Sequence, residues 1–254
     1  MCELIIENQV DIIAMAECDN LDVQALINHL YVQGYSMKLI EICPENDDIK
    51  VLAKTSIRIT PKEENKRFSI YQIRQNEELI LLSVLHLDSG LFKEESARNI
   101  RAERISKQIE KIETEVYGDG ERKGIVVGDF NLQPYSDGIA NVFSFNATMS
   151  AFKAKKIYRK VENEKYWFYF NPMWKLMGDN TLVQGSYYNN EDGQDKSLFW
   201  YAYDAVLIRP YFIDRFNWDN FRYISQTKKH TLLNKESINK KDYSDHLPVL
   251  FEIN

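Results

Sequence analysis

Several short apolar runs in this chain end on a chemically versatile polar residue, and that recurrence limits what it can fold into. Ile125-Val126-Val127 leads into Gly128-Asp129-Phe130-Asn131, and far downstream Ser244-Asp245-His246 leads into Pro248-Val249-Leu250-Phe251. Glu17 closes Ile12-Ile13-Ala14-Met15-Ala16, and His86 closes Leu81-Leu82-Ser83-Val84-Leu85. Apolar runs this short read as buried strands. A fold that buries them must therefore gather carboxylates, an amide and imidazoles at strand ends. These are the groups that hold a hard cation and a phosphate.

The rest of the pattern alternates strands with few helices. Val10 to Ala16 reads as a strand, Val23 to Leu30 as a short helix, and Met37 to Ile42 and Lys50 to Thr60 as strands. Phe68 to Arg74 and Glu78 to His86 form a pair around Gln75-Asn76-Glu77, a hairpin turn. In the second strand Ile80, Leu82, Val84 and His86 share one face. Glu94 to Val116 is the clearest helix, with Ile105, Ile109, Ile112 and Val116 at helical spacing and Gly118 closing it. Gly124 to Gly128 is a short apolar strand, and residues 138–165 are expected to be helical and connecting. Asn189 to Lys196 has the composition of a loop. Phe199 to Tyr203, Ala205 to Ile208 and Leu247 to Ile253 complete the strands. Strands in both halves with helices between them suggest two sheets packed face to face with helices outside.

At 254 residues one domain suffices to bury a large core. No apolar run reaches the length that spans a bilayer, so no membrane insertion is expected. Met1-Cys2-Glu3-Leu4 carries no signal-type segment. Cys2, Cys18 and Cys43 are an odd number without metal-site spacing. A reducing cytoplasm is the expected compartment. The net charge of −6 argues against a protein that coats nucleic acid. It does not exclude a nuclease, because a carboxylate-rich site lowers net charge and bound cations restore a positive field there.

Each polar group has two readings. Asp129 and Asn131 would face one side of an extended backbone with Phe130 in the core, ready for a cation, phosphate or water. Beside Gly128 and Pro134 they could equally make an ordinary turn. Asp245 would lie near a metal and His246 against the phosphate or the attacking water; the alternative is a solvated surface turn. Glu17 either reaches the surface, pairs, or binds metal. Asp204, between Tyr203 and Ala205, is placed to accept from a histidine and fix its tautomer. Asp19, Asp88 and Asp137 suit turns or caps. His230, within Lys228-Lys229-His230, reads as exposed.

Ala16-Glu17, Leu85-His86-Leu87, Gly128-Asp129-Phe130-Asn131, Asp204-Ala205-Val206-Leu207 and Ser244-Asp245-His246-Leu247-Pro248 occur in one order across nearly the whole chain. As a set they resemble the endonuclease/exonuclease/phosphatase superfamily, which includes pancreatic deoxyribonuclease, apurinic endonucleases, sphingomyelinases and inositol polyphosphate phosphatases. The resemblance implies a single α/β (α+β) domain over residues 1–254, a four-layered sandwich of two mixed β-sheets flanked by helices. It also implies Mg²⁺, with Mn²⁺ as a substitute. Glu17 would be the principal metal ligand and Asp245 a further group at the metal. Asp129 would activate or orient water, and Asn131 would bind the phosphate. His246 would stabilise the transition state or act as base, oriented by Asp204, and His86 would contact the phosphate from the other side. The implied reaction is in-line attack of water on a phosphodiester, first of all by an endo- or exonuclease on DNA or RNA. A small-molecule or lipid phosphodiesterase or phosphatase, or a non-catalytic binding module, are the alternatives, and oligomeric state stays open.

Family members begin with a strand bearing an Asn, before the first helix. Here the chain opens in that helix, at Met1 to Asn8, so the expectation is an N-terminally truncated domain short of its first strand. Tyr166-Trp167-Phe168-Tyr169-Phe170-Asn171-Pro172-Met173-Trp174 also resembles a bacterial branch of the superfamily. It reads as core packing in preference to a wall for stacking bases. Arg98, Arg101 and Arg104 are expected on a solvated helix face with Glu95, Glu103 and Glu110.

Overall fold

The computed structural model describes residues 1–18, 21–41, 48–89, 94–178, 183–190, 198–235 and 237–254. They form two compact units, one of Met1–His86 with Gly124–Gly128 and one of Leu87–Lys123 with Asp129–Asn254. The architecture is mixed α and β.

In the first unit, α1 (Cys2–Glu7) precedes β1 (Ile12–Ala16), α2 (Val23–Val32), β2 (Met37–Ile40) and β3 (Ile49–Lys54). The three strands make an antiparallel sheet in the order β1-β3-β2. α2 starts where the Asp22 carboxylate accepts from the Ala25 N–H at 2.8 Å. Its Leu26 and Leu30 close on Ile5 of α1, Met15 of β1, Met37 of β2 and Leu52 of β3, a core that covers one face of the sheet.

The same unit continues with β4 (Arg58–Asn65), β5 (Phe68–Gln75), β6 (Glu78–His86) and β7 (Gly124–Asp129), the last belonging to it through Gly128, in the order β4-β5-β6-β7. Asn76 and Glu77 both have positive φ, 47° and 66°, and link Gln75 to its register partner Glu78. This is the two-residue hairpin that strand twist favours. β4 lies at the edge, where Pro61 has no N–H to donate and a register shift between Pro61 and Glu63 interrupts the ladder. β7 and β6 lie so close that a Cβ on Gly128 would sit 2.0 Å from the Leu85 carbonyl oxygen. With φ at 131°, position 128 is confined to glycine on both counts.

The second unit contains α3 (Glu95–Tyr117), α4 (Asp137–Ala140), β8 (Ala147–Thr148), α5 (Ala151–Ala154), β9 (Tyr158–Val161), β10 (Glu164–Trp167), β11 (Tyr169–Phe170) and α6 (Trp174–Gly178). β12 (Tyr187–Tyr188), β13 (Trp200–Tyr201) and β14 (Asp204–Ile208) follow, then a 3-10 helix (Pro210–Arg215). β15 (Arg222–Tyr223), β16 (Leu233–Asn234), β17 (Ser237–Ile238) and β18 (Val249–Leu250) are short. β11 pairs antiparallel with β14 and parallel with β8. α3 turns Ala102, Ile105, Ile109 and Ile112 inward and ends on Gly118 at φ 58°.

The core of this unit holds a carboxylate. Glu113 of α3 is fully buried and meets the Arg209 guanidinium on both oxygens, Arg122 at 3.3 Å and the Tyr169 hydroxyl at 3.3 Å. Arg209 also donates to the carbonyls of Trp167 at 3.1 Å and Phe168 at 3.0 Å and lies 3.5 Å over the Tyr169 ring. Burial alone would lower the Arg209 pKa, but the adjacent Glu113 charge holds it above the ordinary arginine value.

Three expectations need correction. Residues 138–165 contain only two single-turn helices; the remainder includes β8 and a β9–β10 hairpin turned at Glu162 and Asn163, both at positive φ. The strand expected over Leu247 to Ile253 shrinks to Val249–Leu250 plus a lone bridge from Ile253 to Phe216; Pro248, with no N–H to donate, limits it on the N-terminal side. The strand expected over Phe199 to Tyr203 is only Trp200–Tyr201, with Phe199 at φ 55°. The aromatic segment does pack inward: Phe168, Tyr169, Phe170 and Met173 are buried. Part of the loop expected from Asn189, and Cys43, lie outside the described residues.

Gly128→Ala is expected to cost more than about 3 kcal/mol, since both the contact with Leu85 and the backbone angle must give. Gly34→Ala, with positive φ but open space around its Cβ, should cost about 1–2 kcal/mol. Thermal melts of the two variants check this, at roughly 2–4 °C per kcal/mol; equal melting temperatures would refute the steric account.

Candidate active site

In the first unit, β1 and β6 deliver one pair. Glu17, at φ 54°, leaves the line of β1 with its N–H on the Asp48 carbonyl and its side chain 76% exposed. A non-glycine residue in that region is uncommon, and here it turns a carboxylate outward from the sheet. Its Oε1 lies 3.3 Å from Nε2 of His86, which is buried. The other ring nitrogen of His86, Nδ1, is buried with no hydrogen-bond partner.

In the second unit the Asp129-Phe130-Asn131 turn is built around a locked carboxylate. Phe130 is fully buried, edge-on to Phe145. Asn131 adopts φ 48°, so the backbone does not stay extended as the alternating reading required. The Asn131 backbone N–H donates to Asp129 Oδ1 at 2.8 Å, and its side-chain amide donates to Oδ2 at 2.7 Å. The second amide hydrogen goes to the Leu87 carbonyl at 3.0 Å. Both donors of the Asn131 side chain are thus engaged within the protein, and what the residue does locally is aim Asp129.

Asp204, at the start of β14, and His246 come from segments far apart in sequence. The His246 Nδ1 to Asp204 Oδ2 distance is 2.6 Å. Burial alone would lower the His246 pKa. The hydrogen bond and charge of Asp204, aided by Asp129 and Asp245, outweigh it and push the value up to about 9. Asp129, Asp204 and His246 each offer one ligand-type atom within 4.8 Å of the others. Asp245 is exposed and lies outside that group.

Two residues that sequence reasoning passed over hold this arrangement. Ser186 is fully buried; its Oγ accepts from the Asp204 N–H at 2.9 Å and its carbonyl accepts from the Leu247 N–H at 2.7 Å. One residue therefore ties the segments that carry the aspartate and the histidine. Gly185 beside it has no room for a Cβ, which would meet the Tyr201 carbonyl oxygen at 2.5 Å. Arg98, expected on a solvated helix face, instead donates to the Asn131 carbonyl and interacts with Tyr203. The signal was present in the sequence only as an arginine at one end of an otherwise mixed-charge helix. Arg101 does remain largely exposed, 3.8 Å from Asp88.

No protein-family model and no curated protein matches the sequence. Solved structures do match the fold. Truncated Caenorhabditis elegans TDP2 aligns with a TM-score of 0.59 at 13% identity, over 98% of this chain and 87% of its own. D. rerio TDP2 complexed with single-strand DNA product aligns at 0.51 and 16% identity, over 99% and 89%. An endonuclease/exonuclease/phosphatase family protein from Bacteroides thetaiotaomicron aligns at 0.50 and 14% identity, over 98% and 85%. The chain has the endonuclease/exonuclease/phosphatase fold. On that fold Glu17, His86, Asp129, Asn131, Asp204 and His246 all stand at or just beyond the ends of β1, β6, β7 and β14 or beside β18, as the sequence pattern required.

The histidine–aspartate pair carries a pH signature. Because the folded His246 pKa is raised, its contribution to stability is full below the ordinary value of 6.5 and is lost as pH rises through about 9. Imidazole proton resonances followed by NMR in chelator-treated protein should titrate near pH 9 for His246. In Asp204→Asn the midpoint should drop by more than about one unit, since burial then acts with less opposition. An unchanged midpoint would mean that Asp204 does not hold the proton.

Proposed function

We propose that this protein is a divalent-cation-dependent phosphodiesterase that cleaves nucleic acid by in-line attack of water. The observation that carries the reading is the 2.6 Å His246–Asp204 pair within 4.8 Å reach of the locked Asp129 carboxylate. A proton-holding imidazole, an aimed acceptor and a carboxylate-rich surround are what phosphoryl transfer requires.

The donor set fits a hard cation if the ligand is Glu17 and not the histidine triad. His246 Nδ1 is engaged by Asp204, and an imidazole with pKa about 9 is cationic at neutral pH, which repels a metal. Glu17 is an exposed carboxylate whose contact is to a histidine, and oxygen is the donor Mg²⁺ or Mn²⁺ takes. Held by Glu17, such a cation would supply the positive charge that offsets the phosphoryl oxygens.

The chain's own groups do the rest. Asp129, aimed by Asn131 through both carboxylate oxygens, orients the attacking water and takes its proton. His246, charged and anchored through Nδ1, donates from Nε2 to a phosphoryl oxygen as negative charge grows there; the raised pKa favours this role over that of a base. Asn131 acts by fixing Asp129, with its carbonyl held in turn by Arg98. His86 contributes a ring held at one nitrogen by Glu17. The D. rerio TDP2 complex with single-strand DNA product supports nucleic acid as the first substrate to try.

Glu17→Gln should lower Mg²⁺- or Mn²⁺-dependent hydrolysis of bis(p-nitrophenyl) phosphate and single-stranded DNA by about 100-fold or more. Far-ultraviolet circular dichroism should be unchanged, because the side chain is mostly solvent-exposed. Hydrolysis by the parent chain that persists in EDTA, or an undiminished rate and metal affinity in the variant, would sink the reading.

His246→Ala and Asp204→Asn should also fall together. If Asp204 acts through His246, the double variant loses little more than His246→Ala alone. Steady-state kcat measured for all four members of the cycle decides it: strictly additive losses would assign Asp204 a separate task.

A further inference from the structure

The first unit carries a cationic trough with no role in the site described above. Strands β4 and β5 set Arg58 directly opposite Arg74 and, two residues along on the same face, Thr60 opposite Gln72. Like charges at facing positions of an antiparallel pair repel and destabilise the sheet. Lys38 of β2 brings a third cation to the same surface hollow, which has a volume of about 390 Å³ and is also lined by Thr55, Thr60 and Gln72. No carboxylate lines it. Among the described residues none of the three cations makes an ion pair or a side-chain hydrogen bond, although the chain as a whole carries a net charge of −6. In so acidic a protein, three unpaired cations around one hollow, two of them face to face, form a surface whose repulsion a bound anion would relieve.

We propose that this trough binds the phosphodiester backbone of a nucleic-acid strand. The inference rests on the nucleic-acid reading above and adds a second place where the polymer is held. Three features favour this ligand. Arg58 and Arg74 can each take a phosphate bidentately, and Thr60 and Gln72 add neutral donors along the same line. The hollow is open, which suits a polymer passing over it. It also lacks aromatic side chains on which bases would stack, so the contact is to backbone and indifferent to sequence. No large exposed apolar side chain lines it to enter a bilayer.

The test is fluorescence anisotropy of a labelled single-stranded oligonucleotide on the full-length chain, in EDTA, across a salt series. Arg58→Ala/Arg74→Ala should weaken binding about tenfold or more at low salt and flatten the slope of log K against log salt by roughly 0.7 per cation removed. Metal-dependent hydrolysis of bis(p-nitrophenyl) phosphate should stay at the parent rate, and the melting temperature without nucleic acid should rise as the facing charges are removed. Unchanged affinity and slope would overturn the proposal. So would an equal loss in Lys228→Ala/Lys229→Ala, which would reduce the effect to overall charge. Arginine-dependent binding to anionic phospholipid vesicles without binding to the oligonucleotide would also overturn it, as would a fall in melting temperature, which would show a structural partner. The small-substrate assay separates the two readings: a parent chain with no such hydrolysis fails the catalytic reading, whereas an active parent whose DNA affinity ignores both arginines fails only this one.

Discussion

The second unit depends on a charge that it buries completely. Glu113 has no solvent to turn to, so its stability comes wholly from Arg209, Arg122 and Tyr169. Such a cluster is weak evidence of net stabilisation, because desolvating three ions offsets much of their attraction. Removing any one partner is costly, and this makes the arrangement specific. α3, β11 and β14 can meet in only one register that pairs Glu113 with Arg209 and stacks Arg209 on Tyr169.

That constraint reaches the candidate site along two elements. α3 carries Glu113 near one end and Arg98 near the other, and Arg98 grips the Asn131 carbonyl. β14 begins at Asp204 and delivers Arg209 immediately after its last residue. Each is pinned by the ion cluster at one end and reaches the candidate site at the other. Their separation along α3 is fifteen residues, about 22 Å of helix. A shift of α3 along its axis would disturb the Glu113 pairs and the Asn131 contact together.

Much of this was legible in the sequence, for identifiable reasons. β6 and β7 stood out because an uninterrupted apolar run in a mixed chain suits little besides a buried strand, and α3 because its isoleucines repeat at helical spacing over many turns. The Asn76-Glu77 turn was visible between two alternating strands. The β9–β10 hairpin was not, since its turn, Glu162-Asn163, lacks glycine and its strands bury little. The residue types at the site were readable too, but their conformation was not. Asn131 was open to an extended or a turn reading and lies in the left-handed region of a turn, where its amide serves Asp129. Ser186 gave no signal at all: its importance comes from which chain segments it meets, and a single sequence does not print such contacts.

The position of Ser186 also says something about when this chain acquires its chemistry. Asp204 and His246 are 42 residues apart, and Ser186, which bonds to both of their segments, precedes Asp204 by 18. Closing loops of that length costs entropy that local contacts do not repay. Helices and tight hairpins need only local contacts, whereas the imidazole and its carboxylate meet only when these distant segments come together. A collapsed chain with native secondary structure and loose packing would hold all of these residues without the contacts that align them.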